Sequence, residues 1–188
     1  MGTIRYIADW HYSHEDIIAY DARPFLTAEE MNAELIRRWN AVVAPEDITY
    51  VVGDMFWCGA EDALAVLDGL NGTKILVTGN HDDCSDEAFR SRFAAIDDYL
   101  EIEDGGRRVV LCHYPIPCFK NHYQGWYHLY GHVHTAFEAN MMEHVRRQME
   151  ALYIRPSHMY NVGAMVPYMD YTPRTLDEIL AGYEANRK

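Results

Sequence analysis

Five short apolar segments of this chain each run directly into a cluster of carboxylate, amide or imidazole side chains. Residues 4–8 lead into Asp9-Trp10-His11, 48–52 into Gly53-Asp54, and 74–78 into Gly79-Asn80-His81-Asp82. Residues 108–112 lead into His113, and 127–130 into Gly131-His132-Val133-His134. Several of these segments are rich in Val, Ile and Tyr and bounded by Gly, Asn or Asp, the pattern of strands. A sixth strand is expected at 159–162. In open α/β sheets, ligands lie beyond the carboxyl ends of the strands. Strands lying side by side would therefore turn all five clusters toward one crevice.

Amphipathic segments separate the strands. Thr27 and Glu30 form a capping box, and Met31, Leu35 and Trp39 follow at helical spacing before Pro45. Residues 61–70 predict a second helix, with Leu64, Leu67 and Leu70 on one stripe and Asn71-Gly72 closing it. A third is expected over 86–95, and Thr175 with Glu178 caps a final helix carrying Leu176, Ile179 and Leu180. This alternation predicts one α/β domain over 1–188, with largely parallel pairing in its first half. Residues 115–126 read as a long loop. Residues 136–152 read as an inserted helix whose stripe of Met142, Val145, Met149 and Leu152 packs inward.

The donor chemistry narrows the function. Asp9, His11, Asp54, Asn80, His113, His132 and His134 offer carboxylate, imidazole and amide ligands without a thiolate, which suits Mn, Fe, Zn, Ni or Co. Such a set exceeds one four-coordinate ion and suits two ions sharing a bridge. D-x-H and H-x-H are expected as extended pairs with both side chains turned to one side. Gly53, Gly79 and Gly131 are expected to allow sharp turns after their strands. With 16 basic against 29 acidic residues, the net charge of −13 disfavours long nucleic acids and anionic membranes. Two divalent ions, offset by Asp9, Asp54 and one hydroxide, would leave a local charge of about +1 that accepts a phosphate.

No apolar run reaches the ~20 residues of a membrane helix, and the chain enters its first strand without a charged leader and long apolar core. Cys58, Cys84, Cys112 and Cys118 form no C-x-x-C pair and are expected as reduced thiols. A cytoplasmic protein is the expectation.

In this order the blocks D-x-H, G-D, G-N-H-D, H and G-H-x-H resemble those of the calcineurin-like metallophosphoesterases, and the short chain is similar to their compact bacterial or phage members. The resemblance runs from residue 9 to 134. It implies two stacked mixed β-sheets flanked by helices, a four-layer αββα sandwich, and two divalent metal ions with Mn favoured. It further implies that Asp9, His11 and His134 hold one ion, that Asn80, His113 and His132 hold the other, and that Asp54 bridges them. His81 would face the substrate and protonate the leaving oxygen, with Asp82 holding its imidazole. The implied activity is hydrolysis of a phosphomonoester or phosphodiester of a small molecule or nucleotide, by a hydroxide shared between the ions.

Two other readings stand beside it. One is a catalytically silent metal-binding scaffold, which would tolerate gaps in the ligand set; the set here has none. The other is a nuclease acting on short nucleic-acid ends. Gly53-Asp54 continues as Met55-Phe56-Trp57-Cys58-Gly59 and lacks the Arg-containing extension of the phosphoprotein phosphatases, which leaves phosphate recognition to the metals. Arg23 is a candidate to reach the substrate, with a surface salt bridge as its alternative. His14 and His122 lie on loops near the expected crevice. Tyr12, Trp57, Phe119, Tyr123 and Trp126 could line a pocket for a base or aryl group, with packing an equal account of the last three. His128 and Tyr130 read as packed and His144 as solvated, while His158 has no assignment.

Overall fold

The apolar segments pair into two four-stranded sheets. A computed structural model describes residues 2–186; Met1, Arg187 and Lys188, the ends of the expected domain, lie outside them. The first sheet contains β1 (Ile4–Ile7), β2 (Ile48–Val51), β3 (Thr73–Val77) and β4 (Ala95–Asp97), in that order and parallel throughout. The second contains β5 (Leu100–Asp104), β6 (Arg107–Leu111), β7 (Tyr127–Tyr130) and β8 (Met159–Asn161). Its β5–β6 pair is antiparallel and the rest parallel, so of the two sheets only this one is mixed. The sheets meet where Ala8 pairs with Gly163: Ala8 N–H donates to Val162 O at 2.8 Å and Ala164 N–H to Ala8 O at 2.8 Å.

Helices α1 (Glu15–Tyr20), α2 (Ala28–Val42), α3 (Ala60–Gly69), α4 (Glu87–Arg90), α5 (Phe137–Tyr153) and α6 (Leu176–Asn186) flank the sheets. At the start of α2, Thr27 Oγ1 accepts the Glu30 N–H at 3.2 Å, and Met31, Leu35 and Trp39 are fully buried. The period-two alternation of the second sheet divides its apolar residues between two cores. Val109, Leu111, Leu129 and Tyr160 join the main core with Ile7, Val51 and Leu76. Their neighbours Val110, Tyr130 and Met159 pack with Phe119 and with Met142 of α5 in a second cluster.

Several sequence expectations change here. The segment 136–152 is α5, the crossover that carries the chain from β7 to its parallel neighbour β8, a connection such a pair requires. The helix expected over 86–95 shrinks to α4, because Ala95 already pairs with Ile75 of β3. The acid-rich β5 alternates half-buried and exposed residues at a sheet edge, where Glu and Asp conceal it from propensity reasoning. Its hairpin to β6 turns at Gly105-Gly106, whose φ values of 56° and 79° suit a two-residue turn. No helix among the described residues is long and apolar enough to cross a membrane.

Truncating Leu129, fully buried in the main core, tests this packing. Leu129→Ala should cost about 2–5 kcal/mol in urea denaturation with little change in slope. A loss below about 1 kcal/mol would contradict a tightly filled core.

Candidate metal centre

The five polar clusters do converge, but by a different backbone from the one expected. Asp9, His11, Asp54, His132 and His134 have φ values of 52°, 50°, 55°, 71° and 48°, all left-handed. D-x-H and H-x-H are therefore not regular extended pairs. The turn at His132 separates its side chain from that of His134: His132 Nδ1 lies 2.9 Å from Asn80 Oδ1, while His134 Nε2 lies 3.2 Å from His11 Nε2. Each left-handed residue costs about 1–3 kcal/mol and persists only where its surroundings hold it. Here Asp9 N–H donates to Gly53 O at 3.0 Å, His11 N–H to Asp54 O at 3.0 Å, and His132 N–H to Asp9 Oδ1 at 2.9 Å. Gly53 itself has φ 87°. Gly131, by contrast, provides room, since a Cβ there would lie 2.6 Å from Asp9 Oδ2.

Two triads of donors result, Asp9-His11-His134 and Asp9-Asp54-His113, each with its ligand atoms within 4.8 Å of one another. Asp54 Oδ2 lies 3.7 Å from His11 Nε2 and 3.4 Å from His113 Nε2, between the two groups. Asn80 Oδ1 approaches His113 Nε2 at 3.2 Å. Nδ1 of His113 lies 2.9 Å from Val52 O, and donation to that carbonyl aims Nε2 toward the other donors. Asp9 Oδ2 is buried without a hydrogen-bond partner among the described residues. Facing acceptors and an orphaned carboxylate oxygen are what a divalent cation would satisfy, so these residues fit a metal.

The electrostatics agree. Burial pushes the Asp9 carboxyl above the usual carboxylate range. Burial also drives the His11 imidazole down to about 2, leaving it a neutral donor. It opposes charge on His113 too, but the Asp54 and Asp9 carboxylates outweigh it and raise that imidazole to about 9. Above the donors opens a cavity of about 290 Å³ lined by His11, His14, Asp16, Ile17, Tyr20, Asp54, Asn80, His81, His132 and His134.

Residues 2–151 match the calcineurin-like phosphoesterase family. The chain belongs to that family. It is 34% identical over 182 residues to the uncharacterized protein MJ1445 of Methanocaldococcus jannaschii, covering 96% of this chain and 90% of that one. Its fold is similar to the crystal structure of AQ665, a protein of unknown function from Aquifex aeolicus. That likeness has a TM-score of 0.72 and 26% identity, over 96% of this chain and 99% of the other.

In this calcineurin-like phosphoesterase the remaining candidates divide clearly. His81 lines the cavity, its N–H donating to Asp54 Oδ1 at 2.9 Å and its ring 4.6 Å from Trp57. Asp82 does not hold the His81 imidazole: its carboxylate accepts the N–H groups of Asp54, Met55 and Gly79 at 2.8, 3.0 and 2.8 Å. It ties the loop after β2 to the loop after β3. His14 lines the cavity and stacks on Trp57 at 3.9 Å. His122 lies elsewhere, beside Tyr153 and Arg155, with Nδ1 2.9 Å from Phe119 O. His128 is buried between Val110 O and the Ile116 N–H, and Phe119 belongs to the second core cluster.

Arg23 is neither at the substrate nor on the surface. Its guanidinium is buried, pairs with Asp21 at 2.9 Å, and donates to the carbonyls of Asp9 and Trp10 at 3.0 and 2.9 Å. Asp21 in turn lies 2.9 Å from His134 Nδ1, and burial of His134 is outweighed by Asp21 and Asp9, which raise its pKa. Sequence reasoning missed Asp21 although it sits two residues before Arg23. Its carboxylate holds His134 by Nδ1 and aims Nε2 at the donor cluster, where a metal would sit; such partners typically contribute 10–100-fold in affinity.

Asp21→Asn should therefore weaken Mn²⁺ binding in calorimetry by about 10–100-fold. Thermal denaturation without metal would separate this loss from unfolding. Unchanged affinity in a folded variant would remove Asp21 from the metal centre.

Proposed function

We propose that this chain is a hydrolase that cleaves a phosphoester of a small molecule or nucleotide with two divalent ions, Mn²⁺ foremost. The observation that carries the reading is Asp9, shared by two donor triads with one carboxylate oxygen left unpartnered. Asp9, His11 and His134 would hold one ion. His113, Asn80 and His132 would hold the other, with Asp54 between them. When bound, the ion pair would supply an acidified water and a cationic clamp for the phosphoryl oxygens.

The protein's own groups do the rest. Arg23 and Asp21 keep the Asp9 turn and His134 in place from behind, and Asp82 joins the two loops that carry Asp54 and Asn80. His81, exposed in the cavity wall, donates its ring proton to the departing ester oxygen as the P–O bond breaks, then regains a proton from solvent. The −13 charge favours a small phosphorylated substrate over long nucleic acid. All four cysteines are free, which fits work in a reducing cytoplasm.

The test pairs elemental analysis with hydrolysis of bis(p-nitrophenyl) phosphate and p-nitrophenyl phosphate in Mn²⁺. Chelation should abolish turnover. His81→Ala should keep its metal and lose about 10²–10⁴-fold in kcat, whereas Asp54→Asn should lower occupancy of both ions. Two bound ions without turnover across a broad phosphoester panel would defeat the hydrolase reading and favour the silent scaffold.

A further inference from the structure

The cavity above the donors has one wall that metal binding does not use. It runs from Tyr20 through Ile17 and Asp16 of α1 to His14, which stacks on Trp57 at 3.9 Å and 5°. Trp57 also lies 4.6 Å from the ring of His81. Tyr20 and Trp57 are 67% and 45% exposed. The Tyr20 ring stands at 89° to that of His134, 5.8 Å away. Among the described residues lining the cavity there is no Lys or Arg, and the charged group that this wall adds is the Asp16 carboxylate.

We propose, building on the hydrolase reading above, that this wall makes the enzyme a phosphodiesterase rather than a phosphomonoesterase. A monoester dianion carries one more charge and one more peripheral oxygen than a diester, and sites that hold it usually add cationic forks. This cavity instead presents a carboxylate, which disfavours the extra charge. A diester also carries a second organic substituent that needs shelter. One ester group lies by His81 against Trp57, where the leaving oxygen takes its proton. The other lies along α1, against Ile17 and the exposed ring of Tyr20. A flat aromatic substituent suits both positions, since each offers a ring face or edge.

The two nitrophenyl esters share a leaving group, so the ratio of their kcat/KM values reads the selection directly. The native protein with Mn²⁺ bound should favour the diester. Asp16→Asn should move the ratio toward the monoester by about 3-fold and Asp16→Lys by about 10-fold at low ionic strength. Both shifts should shrink in ~1 M salt, which a merely structural effect would not do. Tyr20→Ala should raise KM for the diester by about 5-fold, and more than for the monoester. A native preference for the monoester, or a ratio unmoved by Asp16→Lys, would overturn the proposal while leaving the hydrolase reading intact. Hydrolysis of neither ester by the metal-loaded protein would instead overturn the reading on which it rests.

Discussion

A carboxylate held out of water at the junction of the two sheets organises this molecule. Asp9 follows β1 at the point where Ala8 pairs with Gly163, and it is fully buried. One oxygen accepts the N–H of His132 from the loop after β7, and the other has no partner. The junction closes only because the neighbouring positions are small. A Cβ on Gly131 or Gly163 would come within 2.6 or 2.8 Å of Asp9 Oδ2. A buried ionised carboxylate without full compensation is costly, which is why burial raises its pKa. The fold thus creates a demand for positive charge at the place where its donor side chains meet.

The surroundings of neighbouring histidines explain their opposite behaviour. His11 faces His134 at 3.2 Å and is desolvated, so its neutral form prevails. His113 has Asp54 at 3.4 Å, and its protonated form prevails despite burial. A cation binding at His113 would compete with that proton. A bound cation here would reconcile the acidic chain with an anionic substrate. The charge relevant to a phosphate would come from ions in the cavity.

The positions of the clusters at strand ends were legible in the sequence because they depend on local patterns. Residues such as Asn80, His113 and His132 follow apolar runs, and the cap at Thr27 announces α2 directly. The convergence of the clusters could be foreseen from topology, but its geometry could not. Left-handed φ at Asp9, His11 and His134 is only weakly signalled, since Asp and His adopt it more often than most side chains but still in a small minority of cases. Acidic edge strands such as β5 escape propensity reasoning, and the six residues of α1 are too few to show a helical period. Asp82 was read through the residue beside it, whereas its partners are backbone amides across the loop. That information is tertiary.

Arg23 illustrates how such tertiary information changes meaning. A buried cation behind a metal centre looks unfavourable, since it would repel the ions. Asp21 offsets its charge at 2.9 Å, so the pair adds little net field. What the guanidinium adds is geometry. The left-handed turn at Asp9 leaves the carbonyls of Asp9 and Trp10 facing inward, and Arg23 donates one N–H to each while two others grip Asp21. Unpaired buried carbonyls would make that turn untenable. A lysine ammonium lacks the planar fork needed to serve two carbonyls and a carboxylate together. One side chain thus satisfies the strained backbone under Asp9 and fixes the carboxylate that orients His134, which links two candidate ligands of one ion from behind.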